Sequence, residues 1–213
     1  MSKNNILICF CKHPVAGLVK SRLAKNIGEA AAADVYLTLL EHTLLNAQQT
    51  NLKVLLYCHP DIHHPTLQSY VDKFNVTLLK QIDGDLGAKM HHAMQQHIEK
   101  DANVVLIGTD CLELDANYIL QAFHCLNTDS DIVLAPTEDG GYSLIGANKI
   151  DQAVFQDISW STDSVLDKTT FNINKLGWKY TLLDETRDLD NADDLNYFSQ
   201  HEKYKHLFIQ QDN

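Results

Sequence analysis

Four consecutive apolar residues, Val104-Val105-Leu106-Ile107, run directly into Gly108-Thr109-Asp110. A short unbroken apolar run leaves no side for solvent. It therefore reads as a strand buried on both faces, as in the centre of a parallel sheet covered by helices. A polar turn at its carboxyl end falls where open α/β sheets bind ligands, in the crevice outside the strand ends. Two other segments end similarly: Ile6 to Cys11 leads into Gly17-Leu18-Val19-Lys20-Ser21-Arg22, and the last strand-like stretch is closed by Asp188-Leu189-Asp190. Two carboxylates and two cations converging at one sheet edge suit a metal-bridged nucleotide phosphate.

Around these segments strands and helices alternate. Ala32, Val35, Tyr36, Leu39, Leu40, Leu44 and Ala47 recur at three- and four-residue steps and predict one helix from Glu29 to about Gln49. Val54 to Cys58 predicts a second strand, Thr66 to Phe74 a helix behind Pro65, and Val76 to Leu79 a third strand. Asp83-Gly84-Asp85-Leu86-Gly87 predicts a turn before a helix carrying Met90, Ala93, Met94 and Ile98. Asp115 is placed to cap a helix through Leu126, and Asp131 to Ala135 starts another strand.

The last third departs from simple alternation. The turn Thr137-Glu138-Asp139-Gly140-Gly141 leads into Tyr142 to Ile145, which predicts a bent or antiparallel edge. Ser161 or Thr162 is placed to cap a helix containing Val165, Leu166, Thr169 and Ile173, with Gly177 ending it. Tyr180 to Leu183 predicts the final strand, and Asn191 a cap for Ala192 to Phe198. With no internal repeat, low-complexity tract or linker, the fold class is α/β: one domain over residues 1–213, three layers, with a mainly parallel mixed sheet.

Composition narrows the function. Seventeen Lys and Arg against 28 Asp and Glu give a net charge of −11, which argues against nucleic acid as a partner and makes the cations of the first loop stand out. No apolar run approaches the roughly 20 residues that span a bilayer, and Lys3, Asn4 and Asn5 precede only a short apolar run, so neither membrane insertion nor a signal peptide is expected. The five cysteines are odd in number and mostly sit in apolar patterns, which suits packing in a reducing cytoplasm rather than a disulfide framework. Cys9 and Cys11 lack the partners of a zinc site, and the adjacent pairs His63-His64 and His91-His92 diverge as surface residues.

Each chemical candidate has an ordinary alternative. The first loop is not a Walker motif, because Pro14 stands where the upstream glycine should be and Val19 precedes the lysine. Gly17 makes the turn, and Lys20 and Arg22 are either phosphate-holding groups or solvated charges at a helix start. Asp110 is a metal ligand or a turn aspartate; Asp190 is its partner or an acidic helix start. Asp188-Leu189-Asp190 lies too late in the chain for a haloacid-dehalogenase-type nucleophile. Asp139-Gly140-Gly141 is a hairpin turn or a close approach to substrate, with Asp139 free for a hydroxyl or a second metal contact. Trp160 is a substrate platform or a buried anchor.

Taken together, the segments Pro14 to Leu23, Gly84-Asp85-Leu86-Gly87 with Met90, Gly108-Thr109-Asp110, Asp139 to Gly146, Trp160-Ser161-Thr162 and Asp188-Leu189-Asp190 resemble the DUF2064 proteins, glycosyltransferase-A-like relatives of the phospholactate guanylyltransferases. The resemblance spans nearly the whole chain in motif order. It implies the nucleotide-diphospho-sugar transferase (GT-A) fold, a nucleotide-binding half over about residues 1–110 and an acceptor-binding half over about 111–213. It also implies Lys20 and Arg22 on phosphate, Gly84 to Gly87 near base or ribose, and Mg²⁺ or Mn²⁺ on Asp110 and Asp190, with Asp188 as the alternative ligand. The expected activity is transfer from a nucleotide sugar or a nucleoside triphosphate to a small-molecule acceptor; a nucleotide binder without turnover is the alternative. The chain departs from the pattern at Cys111-Leu112 and at Asn191-Ala192.

Overall fold

A computed structural model describes residues 4–208. The first strand, Asn4–Lys12 (β1), lies mid-sheet, flanked by Lys53–His59 (β2) and Ala102–Ile107 (β4), both parallel to it. Val76–Lys80 (β3) extends the sheet beyond β2, again parallel. On the other side Tyr142–Ala147 (β6) runs antiparallel between β4 and Ile132–Pro136 (β5), and Tyr180–Leu182 (β7) adds parallel to β5. The order β3-β2-β1-β4-β6-β5-β7 is the mixed α/β sheet predicted, with β6 as the reversed strand.

Among the described residues seven α-helices cover it: Ser21–Ile27 (α1), Glu29–Gln49 (α2), Pro65–Phe74 (α3), Leu86–Ile98 (α4), Ala116–Thr128 (α5), Val165–Lys175 (α6) and Ala192–Gln200 (α7). Because side chains alternate along a strand, neighbouring β1 residues serve opposite cores. Leu7, Cys9 and Cys11, with Val105 and Ile107 of β4, pack against Tyr36, Leu40 and Leu44 of α2 and Phe123 of α5. Ile8, with Val104 and Leu106, packs against Met90 and Met94 of α4, Phe155 and Ile173. Each leucine or isoleucine so buried contributes about 1.5–3 kcal/mol. No described helix is long and apolar enough to cross a membrane.

The predicted caps divide. Asp115 accepts from Tyr118 N at 3.0 Å, and Asn191 forms a reciprocal capping box with Asp194. Gly177 takes the left-handed conformation (φ 67°) just past α6 as expected, with Trp178 N donating back to Ile173 O. Neither Ser161 nor Thr162 caps α6, whose N-cap is Ser164 without a side-chain bond. Ser161 is instead left-handed (φ 65°), and the Thr162 hydroxyl turns away to Ser159 O. The DLG turn holds one cap the sequence reading passed over, Asp85, which accepts from Ala88 N at 2.8 Å and starts α4.

Candidate functional site

β2 and β3 lie to one side of β1 and β4 to the other, so chain direction across the sheet reverses between β1 and β4. Loops leaving the carboxyl ends of such a pair diverge and leave a crevice. A cavity of about 740 Å³ opens there. Into it come Lys20 from the end of the loop after β1, Arg22 from the first turn of α1, Asp110 from the turn after β4, and Asp188 and Asp190 from the segment after β7.

Three leucines explain why residues so distant in sequence keep register. Leu23 beside Arg22, Leu112 beyond Asp110 and Leu189 between the two aspartates all enter one small core with Phe198 of α7. Leu189 is fully buried, so the residues on either side of it project elsewhere. Leu189 N donates to Asp110 O at 2.8 Å, and an isolated β-bridge joins Cys111 to Asp188.

At the centre stands the Lys20 ammonium, its side chain only 4% exposed. It contacts Asp110 Oδ1, donates to Leu189 O at 2.6 Å and lies 3.3 Å from Asp190 Oδ1. Burial works against its charge, but Asp110 and Asp190 outweigh burial and hold its pKa above the usual lysine value. Arg22 Nη1 reaches Asp190 Oδ2 at 3.4 Å from a largely exposed position. Asp188 is half-buried with its Oδ1 fully enclosed, faces Asp110 and Asp190, and has its pKa pushed up to about 8, desolvation being the larger cause.

Asp190 is braced from behind. Arg187 Nε and Nη2 donate to Asp194 Oδ1 at 3.0 and 2.9 Å, while Asp194 Oδ2 accepts the backbone N–H groups of Asp190 and Asn191 at 2.9 and 3.1 Å. Across the cavity Asp139 accepts from Thr137 Oγ1 at 2.6 Å and Gly141 N at 3.1 Å, both on Oδ1. Two non-glycine residues in the left-handed region, Lys20 (φ 49°) and Ser161 (φ 65°), are on the cavity wall. Such conformations cost on the order of 1–2 kcal/mol and concentrate at functional sites.

Six predicted residues thus meet at one place: Lys20, Arg22, Asp110, Asp139, Asp188 and Asp190. Gly17, Gly84 and Gly87 do not line the cavity. Gly17 (φ 82°) shapes the loop against Glu29, Gly84 (φ 130°) precedes α4, and Gly87 lies under Trp160, where a Cβ would come within 2.8 Å of the indole. The sequence reading missed Lys12, His59, Gln81 and Lys89, which also line the cavity. Gln81 directly follows β3, and its amide donates to two backbone carbonyls, Cys11 O at 3.2 Å and Tyr57 O at 2.9 Å. Since both partners only accept, the amide orientation is fixed with Oε1 as the remaining acceptor. For Lys12, His59 and Gln81 a position at a strand end was the one available signal; Lys89 lies in the first turns of α4, and none of the four belongs to a recognisable motif.

The implied Mg²⁺ or Mn²⁺ is tested by the donor set. Asp110, Asp188 and Asp190 offer the hard carboxylate oxygens such ions prefer, and Asp188 Oδ1 is buried without a hydrogen-bond partner. That chemistry fits a divalent ion. Among the described residues no three ligating side chains stand ready to hold one as they are, Lys20 occupying the gap between Asp110 and Asp190.

The family model described as an uncharacterized protein conserved in bacteria (DUF2064) matches residues 43–162. No curated protein matches the chain. Among solved structures, a protein from Desulfovibrio desulfuricans G20, whose assignment as a nucleotide-diphospho-sugar transferase is itself provisional, is similar with a TM-score of 0.84 at 24% identity, covering 97% of this chain and 94% of that one. The inositol-1-phosphate CTP transferase from T. maritima gives 0.61 at 12% identity over 97% and 95% of the two chains. The 4-diphosphocytidyl-2C-methyl-D-erythritol synthase from Anaerococcus prevotii DSM 20548 gives 0.60 at 8% identity over 92% and 96%. These likenesses share the predicted nucleotide-diphospho-sugar transferase fold.

Proposed function

The chain belongs to the DUF2064 family, and from that premise we propose that it is a transferase using a nucleotide donor, of the nucleotide-diphospho-sugar type. The observation that carries this reading is the buried Lys20 ammonium amid Asp110, Asp188 and Asp190 in the crevice between β1 and β4. Fixed charge of both signs in a partly enclosed site is the arrangement that stabilises charge moving onto a phosphate leaving group.

The donor's phosphates lie over Lys20 and Arg22, which offset the charge of the departing nucleoside diphosphate. Asp110 and Asp190, with Asp188 as a third donor, would hold Mg²⁺ or Mn²⁺, whose contribution when bound is Lewis-acid polarisation of phosphate oxygens. The three buried leucines and the Arg187–Asp194 brace keep these groups in place, so the protein's share of catalysis is largely positioning. An acceptor hydroxyl forms a bond to the anomeric carbon, the carbon–phosphate oxygen bond breaks with its electron pair leaving on the nucleoside diphosphate, and Asp139 Oδ2 is the nearby carboxylate oxygen for the hydroxyl proton.

The first-loop cations also favour a second reading, nucleotidyl transfer, in which an acceptor phosphate attacks the α-phosphorus of a nucleoside triphosphate and pyrophosphate leaves. Incubation with nucleotide sugars and nucleoside triphosphates in Mn²⁺, followed by identification of the leaving group, separates the two. Nucleoside diphosphate release supports the first and pyrophosphate release the second. Binding without turnover, indifferent to metal and to Asp110→Ala, would instead identify a nucleotide-binding protein.

A further inference from the structure

The charges on the cavity wall are sorted. Every lysine, arginine and histidine lining it comes from the first 89 residues: Lys12, Lys20, Arg22, His59 and Lys89. Every carboxylate lining it comes later: Asp110, Asp139, Asp188 and Asp190. In space the two sets meet in the middle and part at the edges. Lys20 and Arg22 contact Asp110 and Asp190, whereas Lys12 and His59 stand at the ends of β1 and β2 and Asp139 stands in the turn between β5 and β6.

Around Asp139 the wall has a particular chemistry. Asp139 uses Oδ1 for Thr137 and Gly141 and leaves Oδ2 without a donor among the described residues. Trp160 is held against Gly87, 6.4 Å from the Phe155 ring, and presents an apolar surface to the cavity. Ser161 is turned there by its left-handed backbone. A fixed indole, a hydroxyl and a free carboxylate oxygen can recognise C–H and O–H groups, and among the described residues no cation is ion-paired to Asp139 to receive a second phosphate.

Resting on the transferase reading, we infer that the acceptor is an uncharged, hydroxyl-rich molecule of the sugar or polyol class, seated on the Asp139, Trp160 and Ser161 wall, and not a phosphorylated or carboxylated one. An anionic acceptor placed there meets the Asp139 carboxylate at short range in a partly enclosed space, a repulsion that costs about tenfold or more in affinity. A neutral polyol has no such conflict, and it donates a hydroxyl hydrogen bond to Asp139 Oδ2.

The test uses the full chain in Mg²⁺ with inorganic pyrophosphate. Calorimetry first establishes that pyrophosphate binds and that Lys20→Ala weakens it; failure at this step removes the transferase reading itself. With the cationic part saturated by pyrophosphate, saturation-transfer NMR then compares glucose with glucose 1-phosphate, glycerol with glycerol 3-phosphate and myo-inositol with its 1-phosphate. The expected result is at least one neutral compound binding tenfold or more tightly than its phosphorylated partner, with Trp160→Leu weakening the neutral compound. Asp139→Asn keeps an oxygen for Thr137 and Gly141, so it preserves the turn while removing the charge. It should narrow the neutral-to-phosphorylated ratio, which assigns the discrimination to the wall and not to the bound pyrophosphate. Equal or tighter binding of the phosphorylated partners, an unchanged ratio in Asp139→Asn, or no binding by any of the neutral compounds overturns the acceptor assignment while leaving the donor reading intact.

Discussion

Lys20 Nζ lies 3.3 Å from Asp190 Oδ1, two side chains 170 residues apart, and donates at 2.6 Å to the carbonyl of the residue before that aspartate. One lysine therefore links the first loop to the last strand segment. Lys20→Met removes the cation from among three carboxylates while keeping most of the buried stem. Because Asp110 and Asp190 are 45% and 37% exposed, solvent screens part of the loss, and a destabilisation of about 2 kcal/mol is expected rather than the larger cost of a fully buried pair. Nucleotide or pyrophosphate binding should fall by at least tenfold. Urea unfolding and calorimetry measure the two effects separately.

Asp188→Asn should act in the opposite sense on stability. Its buried Oδ1 has no hydrogen-bond partner, and burial beside Asp110, Asp190 and Asp139 pushes its pKa up to about 8, so an amide that cannot ionise avoids the cost of holding a carboxyl there without changing shape. Unfolding stability is expected to hold or rise while metal-dependent turnover falls, the trade-off typical of a site arranged for function. A variant less stable than the parent, with turnover intact, would show Asp188 to be structural.

Asp194 touches nothing in the cavity, yet its Oδ2 fixes the Asp190 and Asn191 N–H groups and its Oδ1 anchors Arg187. Asp194→Ala leaves two backbone donors without their acceptor and reduces the Arg187 guanidinium to its 3.3 Å pairing with Glu138, at a cost of about 2–4 kcal/mol. Asp190 loses its brace, so metal affinity should drop together with stability. Asp194→Asn retains an oxygen for the backbone donors and should recover more metal affinity than stability.

The strands and most helices were legible because burial writes a period into sequence. β4 is unbroken because both its faces are covered, and α2 carries a stripe because one face is. Convergence of Lys20, Asp110 and Asp190 was legible from their position at strand ends. The start of α6 was not, because the backbone at Ser161 is set by a tertiary contact: Gly140 O accepts from Leu166 N, and the hairpin turn wedges against Asp163. Lys20 between the carboxylates and the orientation of Gln81 were likewise invisible, since each depends on groups brought in by distant segments.

That wedge gives a sharp substitution. Gly140 has φ 85°, and a Cβ there would sit 2.2 Å from the carbonyl oxygen of Asp163, a backbone atom that cannot swing away. Gly140→Ala combines left-handed strain with overpacking, for a loss of about 3 kcal/mol. Gly28, with φ 85° but open space around it, is the control: Gly28→Ala should cost only about 1–2 kcal/mol. Thermal melts of the pair separate the two contributions.

His42 predicts how stability responds to acid. Its ring is partly buried on α2, and burial, helped by the positive Lys203 and His206, holds its pKa below the usual histidine value against the opposing hydrogen bond to Leu112 O at 3.1 Å and a smaller pull from Asp115. The folded protein thus binds this proton less readily than the unfolded chain, whose histidine titrates near about 6.5. Stability from this group is complete above about pH 6.5 and is lost as pH falls from there through the lower folded value. His59, His64, His91 and His97 shift in the same direction, burial being the leading cause in each, so the acid limb of stability should begin with histidines, ahead of the carboxylates. Asp188, with its pKa raised to about 8, works the other way over this range, so the informative quantity is a difference: in urea unfolding between about pH 5 and 8, the parent should lose stability relative to His42→Gln as pH falls below about 6.5. A difference that stays constant across the range would show that His42 does not carry the acid sensitivity.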